Sequence, residues 1–172
     1  MCGIYVTNIP YKENEVSSKL ESIRFRGPDN SEILRVDDII LGHLRLAVID
    51  LEERSNQPMS YKNLSIVFNG EIYNFKKVRQ ELIEFGYQFT TTSDTEVLLC
   101  GYLKWGAKLL PKLNGMFAFV IYDSLEKTIF CARDRLGVKP FYYYWKENEF
   151  EICMEDELFN RVIGILLEIP CI

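Results

Sequence analysis

The spacing of apolar residues changes period several times along the chain, and each change predicts an element. Residues 3–8 form an apolar run of strand length, starting almost at the N-terminus. Over 13–23, Val16, Leu20 and Ile23 share one helical face. Arg26-Gly27-Pro28-Asp29-Asn30 is dense turn chemistry and predicts a loop. Two strands are expected across 32–50, where Leu44, Leu46 and Val48 alternate, and another over 64–68, ending at Asn69-Gly70. From Tyr73 the period is helical, with Phe75, Val78, Leu82 and Phe85 in line and Gly86 as the stop. Ser93-Asp94-Thr95-Glu96 has the form of a capping box, opening a helix that runs through Trp105 and ends at Gly106. Strands follow near 116–123, 127–133 and 140–146, the last carrying Tyr142-Tyr143-Tyr144-Trp145, read as a core or interface strand. Strand clusters at both ends with helices between them predict packed sheets covered by helices, an α+β plan.

Composition narrows the function. The 172 residues fit one domain, 48% apolar and 26% charged, the balance of a soluble globular protein. A formal charge of −5 and the lack of a basic patch argue against a nucleic-acid or anionic-membrane surface. The longest apolar runs, such as Met116 to Tyr122, fall far short of the ~20 residues that span a bilayer, and no secretory signal is visible. Five cysteines, an odd number with no C-x-x-C pair, fit neither a disulfide framework nor a zinc site; a reducing cytoplasm is the simplest reading. His43 is the only histidine, which excludes a metal centre built from imidazoles. Gly101 and Gly106 have Walker A spacing, but Ala107 stands where that loop needs lysine, and no G-x-G-x-x-G exists. No cofactor is expected.

Cys2 carries the first chemical signal. Removal of the initiator Met1 is expected before a small residue, and it would leave a thiol and an α-amine on one residue. An α-amine with a pKa near ~8 can serve as base for that thiol at neutral pH. The alternative is a small residue tolerated at a frayed end.

Met-Cys-Gly-Ile at the start is followed by Arg26-Gly27-Pro28-Asp29, by the run from Leu41 to Asp50, and by Gln57-Pro58-Met59. Then come Phe68-Asn69-Gly70-Glu71-Ile72-Tyr73-Asn74, Ser93-Asp94-Thr95-Glu96, Gly115-Met116-Phe117-Ala118-Phe119 and the run from Ala132 to Pro140. In this order and spacing the blocks resemble the class II glutamine amidotransferases, specifically the N-terminal domain of glutamine-hydrolysing asparagine synthetases, over about residues 1–146. The resemblance implies an N-terminal-nucleophile fold, a four-layer αββα sandwich.

It also implies roles. Glutamine is a zwitterion, so its pocket needs a cation and an anion. The resemblance places Arg45 on the α-carboxylate, which its fork can clamp with two hydrogen bonds, and Asp94 on the α-ammonium, helped by Glu71. An outward-facing strand arginine and a carboxylate complementing the helix dipole are the ordinary alternatives. Attack on the amide creates an oxyanion, for which the resemblance offers the Asn69 side-chain amide and the Gly70 backbone N–H; the ordinary reading of Asn-Gly is a hairpin turn. Arg26 and Gly27 are expected in a flap over the ligand or in an ordinary surface turn. Relatives often carry His where this chain has Phe25, and His43 reads as structural.

The expected organisation is an amidotransferase domain over 1–150 and a divergent tail over 151–172, where Leu158, Val162, Ile163, Leu166 and Leu167 are spaced for an amphipathic helix. A native end, a truncation and an altered reading frame all fit that tail. No synthetase domain is expected within these residues, so the expected partner, besides glutamine, is a synthetase domain or subunit that accepts ammonia. Two other readings stay open: a catalytically silent binding or structural module, and an amidohydrolase acting on other amides.

Overall fold

The structure, a computed structural model, describes residues 1–155 and the backbone of 167–170. Among the described residues ten strands form two five-stranded sheets. The first contains β1 (Gly3–Thr7), β2 (Asn30–Val36), β3 (Ile39–Arg45), β8 (Tyr142–Lys146) and β9 (Glu149–Cys153), in the order β2-β3-β1-β9-β8. The second contains β4 (Met59–Tyr61), β5 (Leu64–Ile72), β6 (Gly115–Asp123), β7 (Thr128–Arg133) and β10 (Leu167–Pro170), in the order β10-β7-β6-β5-β4. All recorded pairings are antiparallel.

Period-two alternation explains how these strands stack into four layers. Ile4, Val6, Ile39 and Leu41 of the first sheet face Val67, Ala118, Val120, Tyr122, Ile129 and Cys131 of the second. The intervening residues point outward. Tyr5, Ile40 and Leu44 receive Val16, Leu20 and Ile23 from α1 (Glu13–Ser22) and its C-cap. On the other side Ile66, Phe68, Phe119, Ile121 and Phe130 receive α2 (Phe75–Glu84) and α3 (Asp94–Trp105) through Val78, Leu82, Val97 and Leu98. The expected helix–sheet–sheet–helix sandwich is therefore the one observed.

Local chemistry sets the helix ends. Gly86, at φ +88°, follows the α2 C-cap; its N–H reaches the Ile83 carbonyl at 2.9 Å and the Tyr87 N–H reaches Leu82 at 3.1 Å, a Schellman closure that needs a residue free to take positive φ. At the start of α3, Ser93 Oγ accepts the Glu96 N–H at 3.3 Å. The reciprocal half of the expected capping box is absent. Glu96 instead accepts from the backbone N–H groups of Thr90 and Thr91, at 2.9 and 2.8 Å, and from both hydroxyls. Its carboxylate anchors the loop leading into α3.

Three further differences from the sequence reading matter. β5 does not stop before Asn69-Gly70 but pairs through Gly70↔Phe117 to Ile72↔Gly115, so this dipeptide is strand and not turn. The alternation of Leu44, Leu46 and Val48 does not extend β3, which ends at Arg45. β9 carries the first sheet through residue 150 by pairing with β1, and β8 is an edge strand on which Tyr144 and Trp145 are exposed. In the tail, Leu167 opens a strand paired with β7, whereas the rest of the expected helix, Leu158 to Leu166, lies outside the described residues.

Candidate functional site

The ends of several elements converge on one cavity of about 190 Å³. The segment before β1 brings Cys2, the end of β3 brings Arg45, and the loop after it brings Leu46, Val48 and Ile49. β5 contributes Asn69, Gly70 and Glu71, the first turn of α3 contributes Asp94, and Lys139 enters from the loop before β8. The six residues singled out for nucleophile, oxyanion and ligand roles thus share one space.

Cys2 Sγ is half-buried at the cavity wall, accepting the Leu46 N–H at 3.4 Å with the Leu46 carbonyl at 3.6 Å. Burial raises the thiol pKa, and the Leu46 N–H, the N-terminal ammonium, Arg45 and Lys139 oppose this without reversing it. A neutral thiol at rest needs a base before it can attack.

Arg45 is 6% exposed, and its guanidinium meets only neutral acceptors. Nη1 donates to the Glu52 carbonyl at 3.0 Å and to Asn56 Oδ1 at 2.6 Å, and Nη2 donates to the Asp50 carbonyl. This is why β3 ends where it does: the loop that follows curls back to solvate a buried cation. Asp50 in turn is pinned by the Thr92 N–H and hydroxyl, at 2.6 and 2.9 Å, and by Arg54 at 3.3 Å. Burial works against the Asp50 anion, but the bonds from Thr92, Ser55 and Glu52 outweigh it and hold the carboxyl well below its ordinary range. Of the five guanidinium N–H donors, Nε–H and one Nη2–H have no acceptor among these bonds. A buried arginine with dipoles for company and no carboxylate partner among the described residues suits a carboxylate ligand.

Asp94, which lines the same cavity, is 5% exposed, and its Oδ2 accepts the Ile72 N–H at 3.0 Å. Burial pushes its pKa up to about 6 and the nearby Glu71 charge adds to this, against the N–H bonds from Ile72 and the first turn of α3. Such a carboxylate gains from an incoming cation. Asn69 is buried, its Nδ2 donating to Met154 Sδ at 3.6 Å, which leaves a second N–H. At Gly70 a Cβ would lie 2.2 Å from the Met116 carbonyl oxygen and 2.7 Å from Phe117 Cα, so the close approach of β6 requires glycine there.

Arg26 and Gly27 do not line the cavity. Arg26 is buried in an ion pair with Glu155 at 3.0 Å, and a Cβ on Gly27 would strike the Leu44 carbonyl oxygen at 2.3 Å. Asp29 receives the Ala47 N–H at 2.8 Å and donates its own N–H to the Arg45 carbonyl at 3.0 Å. This turn braces the strand that carries Arg45 instead of covering the ligand space. His43 is also outside the cavity. Its Nε2 lies 3.2 Å from the Phe68 carbonyl and therefore carries the proton, and burial, with Arg45 adding to it, lowers its pKa to about 4. A neutral histidine tying β3 to β5 is no base for Cys2.

Sequence reasoning missed Leu46, Met154 and Lys139. Leu46 acts through its backbone N–H, which every non-proline residue has. Met154 lies beyond the blocks that carry the resemblance. Lys139 sits within one of them with no pattern to mark it as buried.

Comparison with known proteins gives the family and the fold. Residues 1–169 match the family described as the glutamine amidotransferase domain. The putative asparagine synthetase [glutamine-hydrolyzing] 2 of Methanocaldococcus jannaschii is 41% identical over 173 residues, covering 87% of this chain and 33% of that protein. Asparagine synthetase [glutamine-hydrolyzing] 3 of Bacillus subtilis is 40% identical over 179 residues, covering 99% of this chain and 28% of that protein. The chain thus spans about a third of the length of these relatives. Among solved structures, the B. subtilis glutamine phosphoribosylpyrophosphate amidotransferase superposes with a TM-score of 0.78 at 22% identity, over 98% of this chain and 45% of that one, a likeness of fold.

Proposed function

The chain belongs to the glutamine amidotransferase domain family, and from that premise we propose that it hydrolyses glutamine to glutamate and ammonia through a thioester on Cys2. The observation that carries the reading is the convergence of Cys2, Arg45, Asn69, Gly70, Glu71 and Asp94 on one cavity. An arginine with no carboxylate partner among the described residues and a carboxylate with a raised pKa, both lining the cavity, suit an α-amino-acid zwitterion, and most other amides lack both charges. The same completeness argues against a silent module.

Loss of Met1 leaves Cys2 with a free α-amine. That amine takes the thiol proton, and Sγ attacks the side-chain carbonyl carbon of glutamine. The oxyanion accepts from Asn69 Nδ2–H and the Gly70 N–H. As the C–N bond breaks, the amine passes its proton to the departing nitrogen, which leaves as ammonia. Water then attacks the thioester, giving up a proton through the same amine to sulfur, and glutamate departs. The wider role we propose, which the relatives' names support, is that the ammonia serves asparagine synthesis or a similar amidation on a synthetase domain or subunit. Among the described residues no cysteine is in a disulfide, which suits a cytoplasmic protein.

The Met1-free protein should release glutamate and ammonia in equal amounts from glutamine; no release above the buffer rate contradicts the reading. Arg45→Lys should raise KM about tenfold or more and change kcat less, because lysine keeps the charge but loses the fork. An unchanged KM would make Arg45 structural.

Asp94 gives a pH signature. Ammonium binding needs the ionised carboxylate, present above its pKa of about 6 and lost below it. Glutamine binding to the inactive Cys2→Ala protein, followed by calorimetry, should therefore weaken about tenfold per unit as pH falls below about 6. With Asp94→Asn also introduced, affinity should be low and flat across that range. A flat profile with Asp94 intact would remove it from the ammonium site.

A further inference from the structure

Lys139 is a buried cation that the chemistry above does not use. It is 5% exposed and lines the cavity, yet no carboxylate ion-pairs with it among the described residues. Lysine at such burial ordinarily has a counter-ion. The contact its ammonium makes instead is with Met1 Sδ, at 3.2 Å. A thioether is a weak acceptor that compensates little of the charge, and it belongs to the residue whose removal the proposed chemistry requires.

The backbone around Lys139 is built to hold it inward. Asp134 accepts N–H groups from Phe117, Leu136, Val138 and Lys139 at 3.2, 3.2, 2.9 and 3.0 Å. Arg133 donates from Nε to the Lys139 carbonyl at 2.5 Å and from Nη2 to the Gly137 carbonyl at 2.6 Å. Burial lowers the Lys139 pKa; of the charged and titratable groups around the ammonium, Cys2, Asp134 and Glu71 favour its charge and Arg26 opposes it. On the Cys2 side the N-terminal amine and Arg45 act as well. Lys139 thus places an ammonium group in the cavity of a thiol whose burial disfavours ionisation.

We propose that Lys139 sets the charge state of the nucleophile: freed from the Met1 thioether, its ammonium faces the Cys2 thiol and α-amine and favours the thiolate and the neutral amine. Those are the forms in which sulfur attacks and nitrogen takes up a proton. The inference rests on Cys2 being the nucleophile, but it can be read without turnover.

The test is the pH dependence of Cys2 alkylation by iodoacetamide in Met1-free protein, followed by peptide mass, for wild type, Lys139→Met, Lys139→Gln and Lys139→Arg. Removing a nearby charge should raise the midpoint by about one pH unit in the Met and Gln variants, roughly tenfold slower labelling at neutral pH. The Arg variant, which keeps the charge, should stay close to wild type. A purely structural lysine would lower the melting temperature of the neutral variants and leave the alkylation midpoint in place. Coincident midpoints for wild type, Met and Gln overturn the proposal, as does an Arg variant that shifts with them. A shift in the neutral variants alone supports it even if no protein releases glutamate, in which case the glutaminase reading fails by itself.

Discussion

Cys2→Ala is expected to lower kcat for glutamate release from glutamine by at least about 10⁴-fold, since removing a nucleophile removes the covalent path and not one contact. The fold should survive. Cys2 precedes β1, is half-buried, and contributes one weak pair of contacts with Leu46, so the melting temperature should stay within a few degrees. Glutamine should still bind, because Arg45 and Asp94 are untouched. A variant that binds but does not turn over places the loss in chemistry; equal rates for the variant and wild type would dismiss Cys2 as nucleophile.

Asn69→Ala should be the next most damaging change, lowering kcat by about 10²- to 10³-fold with KM nearly unchanged, the cost of one preorganised oxyanion donor. The Nδ2 contact to Met154 sharpens this expectation. A thioether holds the amide in place weakly, and a developing negative charge outcompetes it without a large rearrangement. Steady-state kinetics separate the cases. A fall in kcat alone marks a donor used in the transition state, whereas a raised KM with normal kcat would mean that Asn69 helps only to bind.

Much of this architecture was legible from the chain. Val16, Leu20 and Ile23 on one face gave α1, and the strands expected over 3–8, 64–68 and 116–123 are β1, β5 and β6, whose two sides face different layers. The cavity residues were legible because their chemistry is tied to short blocks with fixed spacing. What stayed hidden depended on contacts between distant residues. The alternation past Leu44 suggested a longer strand, but the buried Arg45 charge recruits the Asp50 and Glu52 carbonyls and bends the chain away. Glu96 had the position of a capping-box residue, yet Thr90 and Thr91 offer it four donors. β4 has three residues, too few for a period to register. Arg26 and Gly27 stayed open between a flap and an ordinary turn because turn chemistry looks the same whether it covers a ligand or braces a strand. Lys139 was invisible because a buried lysine and a surface lysine are the same letter.

The central claim is that the sulfur of Cys2, next to its own α-amine, becomes acylated by glutamine. Acid-quenching the wild-type protein during turnover and mapping its peptides by mass tests this directly. The account predicts an N-terminal peptide that begins at Cys2 and carries one γ-glutamyl group. Turnover by a chain that still bears Met1, or an adduct mapped to any other residue, would contradict it.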